Sequence, residues 1–269
     1  CVISISFGAR VSTEATLTVT ADTVAPTLFS VANLTTTTVE VLFSEPVEPA
    51  TATNLAHYSL NNGASLLSAV FGASPRAIVL TTTPLALGSN YTLTVSSVRD
   101  QSVARNPLAA NSQLAFPVLL KGVHREVFAN IASSLLSDLT NNPAFPNTPT
   151  SVELLPDRFE TPSRVLNNYG QRLRARLLVP VTGNYTFWLA ADDSGVLYLG
   201  TNPNPSSARA IASVSDATSV AARQWDVQAS QKSTPISLTA GQQYYIEALS
   251  QSSVSGGFPP DHLAVRWQL

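Results

Sequence analysis

Two adjacent carboxylates, Asp192 and Asp193, followed by Ser194 and Gly195, close the alternating run Phe187-Trp-Leu-Ala-Ala191. Carboxylate oxygen suits hard cations, so the pair is a candidate for holding one such ion. In a regular strand neighbouring side chains point to opposite faces, and these two converge on one ion only if the backbone between them is unusual. The competing reading is an ordinary loop in which the aspartates cap backbone amides and Gly195 supplies a positive φ. The residues alone leave both readings open. A hard cation takes more oxygen ligands than two carboxylates offer, so the pair would need help from a neighbouring loop. The segment from Ser250 to Asp261 offers it, since Gly256-Gly257 and Pro259-Pro260 make an irregular backbone able to turn carbonyls inward and Asp261 adds a third carboxylate.

Other chemistries find fewer residues. No nucleophile elbow or phosphate-loop pattern occurs, the single cysteine is Cys1, and His57, His124 and His262 lack the spacing of zinc ligands. A glycosidase needs carboxyls on opposite sides of the scissile bond, about 5 to 9.5 Å apart, which sequence neighbours sharing an ion do not provide. The chain is therefore expected to be non-catalytic. Trp188 and Trp267 lie in alternating strands and read as core or sheet-surface residues, whereas Trp225, in a loop-like stretch, is the better candidate for stacking on a sugar ring. Arg172, Arg174 and Arg176 read as a solvated strand face paired with neighbouring carboxylates.

The elements that must position these groups are strands. Period-two runs such as Tyr91, Leu93 and Val95 against Thr92, Thr94 and Ser96 recur along the chain. The one helical patch is Arg125 to Asp138, where Val127, Ile131 and Leu135 recur at i, i+4; three serines weaken it to a short helix or turn. Only 12% of residues are charged and 44% are apolar, a balance that suits half-buried strands with hydroxyls outside. The formal net charge of -2 and the absence of a basic run argue against nucleic acid as a partner, and no apolar stretch approaches the roughly 20 residues that would insert in a membrane.

With 269 residues, and about 150 per domain as a prior, two compact units are expected. Cys1 and the lack of Met point to a segment of a longer polypeptide. Residues 1–22 read as a hairpin, with a strand from Cys1, a turn at Phe7-Gly-Ala-Arg10 and a strand at Ala15-Thr-Leu-Thr-Val19. Asp22-Thr-Val-Ala-Pro26 forms a joint, and Leu119-Leu-Lys-Gly122 leads into the last unit. The motif Leu85-x-x-Gly88-x-x-Tyr91-x-Leu93 returns as Leu238-x-x-Gly241-x-x-Tyr244-x-Ile246, a turn into a strand whose Tyr can hydrogen-bond back across a sandwich corner.

Val39-Glu-Val-Leu-Phe-Ser-Glu-Pro-Val47, followed by His57-Tyr-Ser-Leu60, resembles the bacterial immunoglobulin-like family of surface-layer proteins. Residues 1–22 resemble the last two strands of such a domain, with Cys1 where a second core cysteine would stand. The runs Arg125-Glu-Val-Phe128, Leu139-Thr-Asn-Asn-Pro-Ala-Phe-Pro146, Asn168-Tyr-Gly-Gln-Arg-Leu-Arg174, Gly183-Asn-Tyr-Thr-Phe-Trp188 and Ala191-Asp-Asp-Ser-Gly195 arrive in the order of another family. With Tyr244-Tyr-Ile-Glu-Ala248 and Asp261-His-Leu-Ala-Val-Arg-Trp267, they resemble the protective-antigen type domain of toxins, flocculins, adhesins and some glycosidases.

These resemblances imply an all-β chain, an immunoglobulin-like β-sandwich followed by a larger protective-antigen type β-sandwich. The implied boundaries are a hairpin of an upstream domain at 1–22, a spacer at 23–117, a linker at 118–122 and a ligand-binding domain at 123–269. In sugar-binding relatives the aspartate pair has a cis peptide bond and chelates calcium, which assigns Ca²⁺ to Asp192, Asp193 and Asp261. Ligand contacts would come from Trp225, Gln251, Phe258 and His262. His262 stands where bacterial relatives carry Asn; imidazole is a poor calcium ligand, so it would point to solvent or to a sugar hydroxyl. The implied protein is a secreted or cell-surface adhesin fragment of bacterial type that binds glycan. Two rivals are a filament or surface-array subunit, pairing with neighbouring chains through residues 1–22, and an accessory module of a larger secreted glycoside hydrolase.

Overall fold

A computed structural model describes residues 2–5, 8–11, 21–155, 158–162, 168–218, 220–253 and 261–269. Strand β1 (Val2–Ile5) pairs antiparallel with β2 (Gly8–Val11), Ile5 facing Gly8. Gly8, Ala9 and Arg10, read above as turn, are thus strand; Cys1 and the expected strand at 15–19 lie outside the described residues.

The next strands are β3 (Leu28–Asn33), β4 (Thr38–Phe43), β5 (Tyr58–Leu60), β6 (Leu66–Phe71), β7 (Ala77–Thr82), β8 (Asn90–Val95) and β9 (Ser112–Pro117), with a single helical turn, α1 (Pro49–Ala52), before β5. They form a four-stranded sheet, β3-β4-β7-β6, and a three-stranded sheet, β5-β8-β9. Alternation explains the pairing: in β4, Val39, Val41 and Phe43 are buried, and Thr38, Glu40 and Leu42 between them are not. The inward residues of both sheets, among them Val41, Phe43, Ile78, Leu93 and Phe116, make one apolar cluster.

The remaining strands are β10 (Val123–Ala129), β11 (Ser151–Leu155), β12 (Tyr169–Leu178), β13 (Gly183–Ala191), β14 (Ser194–Leu199), β15 (Arg209–Val214), β16 (Ile236–Leu238), β17 (Gln243–Ser252) and β18 (Leu263–Gln268). A six-stranded sheet, β11-β10-β12-β17-β14-β15, faces a three-stranded one, β16-β13-β18. Between them lies a second cluster that includes Leu173, Phe187, Leu189, Leu197, Ile246 and Leu263. Residues 125–129, expected in a short helix or turn, instead belong to β10, and only α2 (Leu136–Thr140) is helical. The i, i+4 apolar pattern loses to tertiary context, because β10 runs between β11 and β12 and is buried on both faces.

Both corner motifs close as the sequence predicts. The Tyr91 hydroxyl accepts the Ala86 N–H at 3.1 Å, and the Tyr244 hydroxyl accepts the Thr239 N–H at 2.9 Å. Gly88 and Gly241 take φ of 76° and 74°, the left-handed region where a Cβ is strained.

The arginine stripe departs from the solvated face expected of it. Leu173 and Ala175 of β12 face the core, whereas Arg172 and Arg174, on the other face, are 5% and 2% exposed. Glu126, 1% exposed, accepts from Arg172 Nε at 2.5 Å and also from Arg174. Arg172 further donates to the Pro146 carbonyl at 2.7 Å and lies 5.2 Å from the Phe145 ring centroid. Arg174 reaches the first unit, donating to the Gly88 carbonyl and to Asn90 Oδ1. Arg176 donates to the backbone and side-chain oxygens of Asn33 and, at 3.0 Å, to the Leu119 carbonyl.

The connection between the units is itself packed. Val118 and Leu119 are buried, the Asn33 amide bonds Leu119 N–H and C=O at 3.0 Å each, and the Leu120 N–H donates to His124 Nε2 at 2.8 Å. Burial, and then the charge of Arg174, lowers the His124 pKa, so the ring stays a neutral acceptor. Two separate apolar cores are therefore joined by a buried polar seam.

Removing one partner of a buried ion pair costs about 3–5 kcal/mol, because the other charge is left uncompensated. Glu126→Gln should therefore lower the calorimetric melting temperature of the second unit by roughly 10 °C. Arg176→Ala should spare both cores but loosen the seam, read as a larger radius of gyration in small-angle scattering. An unchanged profile for both variants would contradict this account of the joint.

Candidate calcium and ligand site

Strand β13 delivers Asp192 to one end of the second sandwich, where the start of β14, the end of β17 and the approach to β18 meet. The Asp192 N–H donates to the His262 carbonyl at 3.2 Å and the Asp193 N–H to the Gln251 carbonyl at 3.1 Å. The peptide bond between the two aspartates is cis. Asp193 Oδ2 accepts from both the N–H and the hydroxyl of Ser253, each at 2.9 Å, and the Ser252 hydroxyl donates to Asp261 Oδ1 at 2.5 Å. Gly195 is absent from the glycines with positive φ. Its small size is needed instead, since a Cβ there would lie 2.8 Å from the Ala191 Cβ and 3.0 Å from the Leu249 carbonyl.

Electrostatically the site is acidic and partly withdrawn from water. Burial, then the Asp193 and Asp261 carboxylates, push the Asp192 carboxyl up from 3.8 to about 6. Tyr169, 3% exposed, feels the same charges: its phenol is pushed up, first by burial and then by Asp261. Three hard-oxygen side chains with an unfavourable mutual charge fit a divalent cation chemically.

The remaining expectations divide. Gln251 is 0% exposed, and its amide donates to the Ile131 and Ser133 carbonyls at 2.9 and 2.8 Å. His262 is 1% exposed, so its side chain does not point to solvent. Both were expected at the ligand surface, and burial places them inside the fold. Phe258 lies outside the described residues. Trp225 is half-buried against the core, with the Arg266 guanidinium 4.9 Å from its ring centroid. Leu263 pairs with Ala191 and Arg266 with Trp188, which puts that stack about 13 Å along the ladder from Asp192. Sequence reasoning missed Ser252 and Ser253; their signal is the Ser250-Gln-Ser-Ser253 run just ahead of Gly256-Gly257.

A tighter carboxylate cluster sits in the first unit. Asp22, Glu45 and Asp100 each offer an oxygen within 4.8 Å of the others, closer than Asp192, Asp193 and Asp261 come. Burial, then Asp22 and Asp100, raise the Glu45 pKa. Asp100 is occupied as a loop organiser, accepting from Ser102 N–H at 3.1 Å, Asn106 N–H at 3.0 Å and the Asn106 amide at 2.8 Å. Among the described residues no helix is long and apolar enough to cross a membrane.

Comparison with known proteins places both units. Residues 138–269 match the PA14 domain family and residues 13–118 the bacterial Ig-like domain family. Fibrocystin of Mus musculus is 33% identical over 97 residues, and the chain spans 2% of that relative's length. Among solved structures, bacterial surface layer protein SbsC, domains 1–6, shares 17% identity over 64% of this chain and 28% of that one, with a TM-score of 0.34. The Epithelial Adhesin 9 A domain from Candida glabrata, solved with Galb1-4GlcNAc, shares 12% identity over 55% of this chain and 81% of that one, with a TM-score of 0.37. The family matches, on a chain of two all-β units, identify it as a bacterial Ig-like domain followed by a PA14 domain.

Proposed function

We propose that the PA14 domain is a non-catalytic, calcium-dependent carbohydrate-binding module, carried outside the cell on its Ig-like domain as on a spacer. The observation that carries the reading is the meeting of Asp192, Asp193 and Asp261 at one partly buried end of the sandwich, where their charges oppose one another. Asp192, Asp193 and Asp261 would hold the ion, and Ser252 and Ser253 orient two of the three carboxylates. Bound calcium supplies open coordination positions for vicinal sugar hydroxyls. The chain's own part is to keep the carboxylates on rigid strand ends, with Asp192 and Asp193 anchored by main-chain bonds to His262 and Gln251.

A second reading rests on the hairpin. Among the described residues β1 and β2 pair only with each other, which leaves their outer edges for strand addition from a neighbouring chain and favours a surface-array subunit. Sedimentation of the chain with and without residues 1–22 separates the two: concentration-dependent assembly that needs those residues supports the array.

Calcium at about a hundred times its dissociation constant should stabilise the folded protein by about 2.7 kcal/mol. Asp192→Asn and Asp193→Asn should each remove most of that gain in a thermal melt. In the absence of calcium, Asp192→Asn should raise the melting temperature at pH 7 by relieving repulsion. Glycan-array binding should disappear in EDTA, and binding unaffected by EDTA would reject the ion's role.

The pH dependence has opposite signs with and without metal. The folded value of Asp192 lies above the ordinary 3.8, so its contribution to metal-free stability is present below that pH and lost as pH rises through about 6. Metal needs the ionised carboxylate, so calcium affinity should fall by roughly tenfold from pH 7 to pH 5, measured by isothermal titration.

A further inference from the structure

A second recognition surface lies on the same domain, away from the aspartates. A cleft of about 350 Å³ opens beside β18, lined by Arg158, Glu160, Arg223, Trp225, Arg266 and Trp267. Its charge runs against that of the chain, three guanidinium groups to one carboxylate in a protein of net charge -2. Glu160 is matched by Arg223 in a two-pronged pair, with contacts of 2.8 and 2.8 Å. The other two arginines keep their charge: among the described residues neither Arg158 nor Arg266 joins an ion pair.

Arg266 is nevertheless fixed in place. Its guanidinium lies 4.4 Å from the Trp188 ring centroid and 4.9 Å from that of Trp225, so two indoles hold it by cation–π contact and consume none of its N–H donors. Trp267, the next residue, is 41% exposed. Adjacent strand residues face opposite ways, but β18 is the edge of the order β16-β13-β18, so both side chains reach the cleft around that edge. A pre-oriented cation beside an exposed indole suits a ligand that carries an anion and an apolar face in one small unit.

We propose that this cleft binds a carboxylated saccharide, a uronate unit whose carboxylate pairs with Arg266 and Arg158 while its C–H face lies on Trp267. The volume is at the scale of a small ligand site rather than a peptide groove. An acidic peptide adding to the β18 edge would need several free rungs, and the edge is already closed at its start. Val265 N–H donates to the Phe159 carbonyl at 2.9 Å, Thr161 N–H to the Leu263 carbonyl at 2.9 Å, and Glu160 bridges Ala264.

The test uses the whole chain in EDTA, so that failure of the calcium reading does not touch it. Titration with tetragalacturonate should shift the indole resonance of Trp267 in two-dimensional NMR, and galactotetraose should not. Arg158→Gln and Trp267→Leu should each weaken binding at least tenfold with an unchanged melting temperature, and Asp192→Asn should leave it intact. Binding should weaken steeply between 50 and 500 mM NaCl. The proposal is overturned by no shift at millimolar tetragalacturonate, by equal binding of galactotetraose, by binding that survives both cleft variants, or by tighter binding of hexaglutamate at the same residues.

Discussion

Glu126 is the residue on which the architecture of the pair turns. A carboxylate 1% exposed needs charged donors against it, and Arg172 and Arg174 supply them. Those guanidiniums in turn must be covered and satisfied. Pro146 and Phe145 cover one of them, and Gly88 and Asn90 of the Ig-like domain meet the other. A buried ionic seam adds little stability over apolar packing, but it tolerates few geometries. The two cores therefore stay separate while their orientation is specified by polar contacts, down to Arg176 gripping Asn33 and Leu119.

Those contacts give the aspartate end a defined direction relative to the Ig-like domain. The same domain treats charge in contrasting ways. At the seam opposite charges cancel in the dry interior, and the result is structural. At the aspartates like charges are brought together without cancelling, and Asp192 titrates far above an ordinary carboxyl. Uncancelled like charge of this kind is the feature on which the proposed calcium site rests. Along β18 the sign reverses, with Arg266 held by indoles rather than by a carboxylate.

Much of this was legible in the residues. Period-two alternation marked most strands, and the recurring Leu-x-x-Gly-x-x-Tyr motif marked both sandwich corners, because each depends only on local backbone geometry and on which face a side chain takes. The aspartates stood out for the same reason: Asp192 and Asp193 are neighbours at a strand end, and Asp261 follows a stretch of sequence rich in Gly and Pro.

What only the tertiary structure decided is which side of a strand meets water and which meets another domain. Arg172 and Arg174 read as a solvated face, yet Phe145 and Pro146 cover the first and the Ig-like domain meets the second; Val127 and Ile131 carried a helical period, yet β11 and β12 claimed β10 as a strand. Gln251 and His262 belonged to a promising segment but point inward, and Trp225 is drawn to Arg266 rather than to the aspartates. Sequence by itself determines local propensity and the pattern of faces. Burial, ion pairing and the partners of an aromatic ring depend on residues dozens of positions away, such as Asn33 and Arg176, and those meetings exist only once the chain has folded.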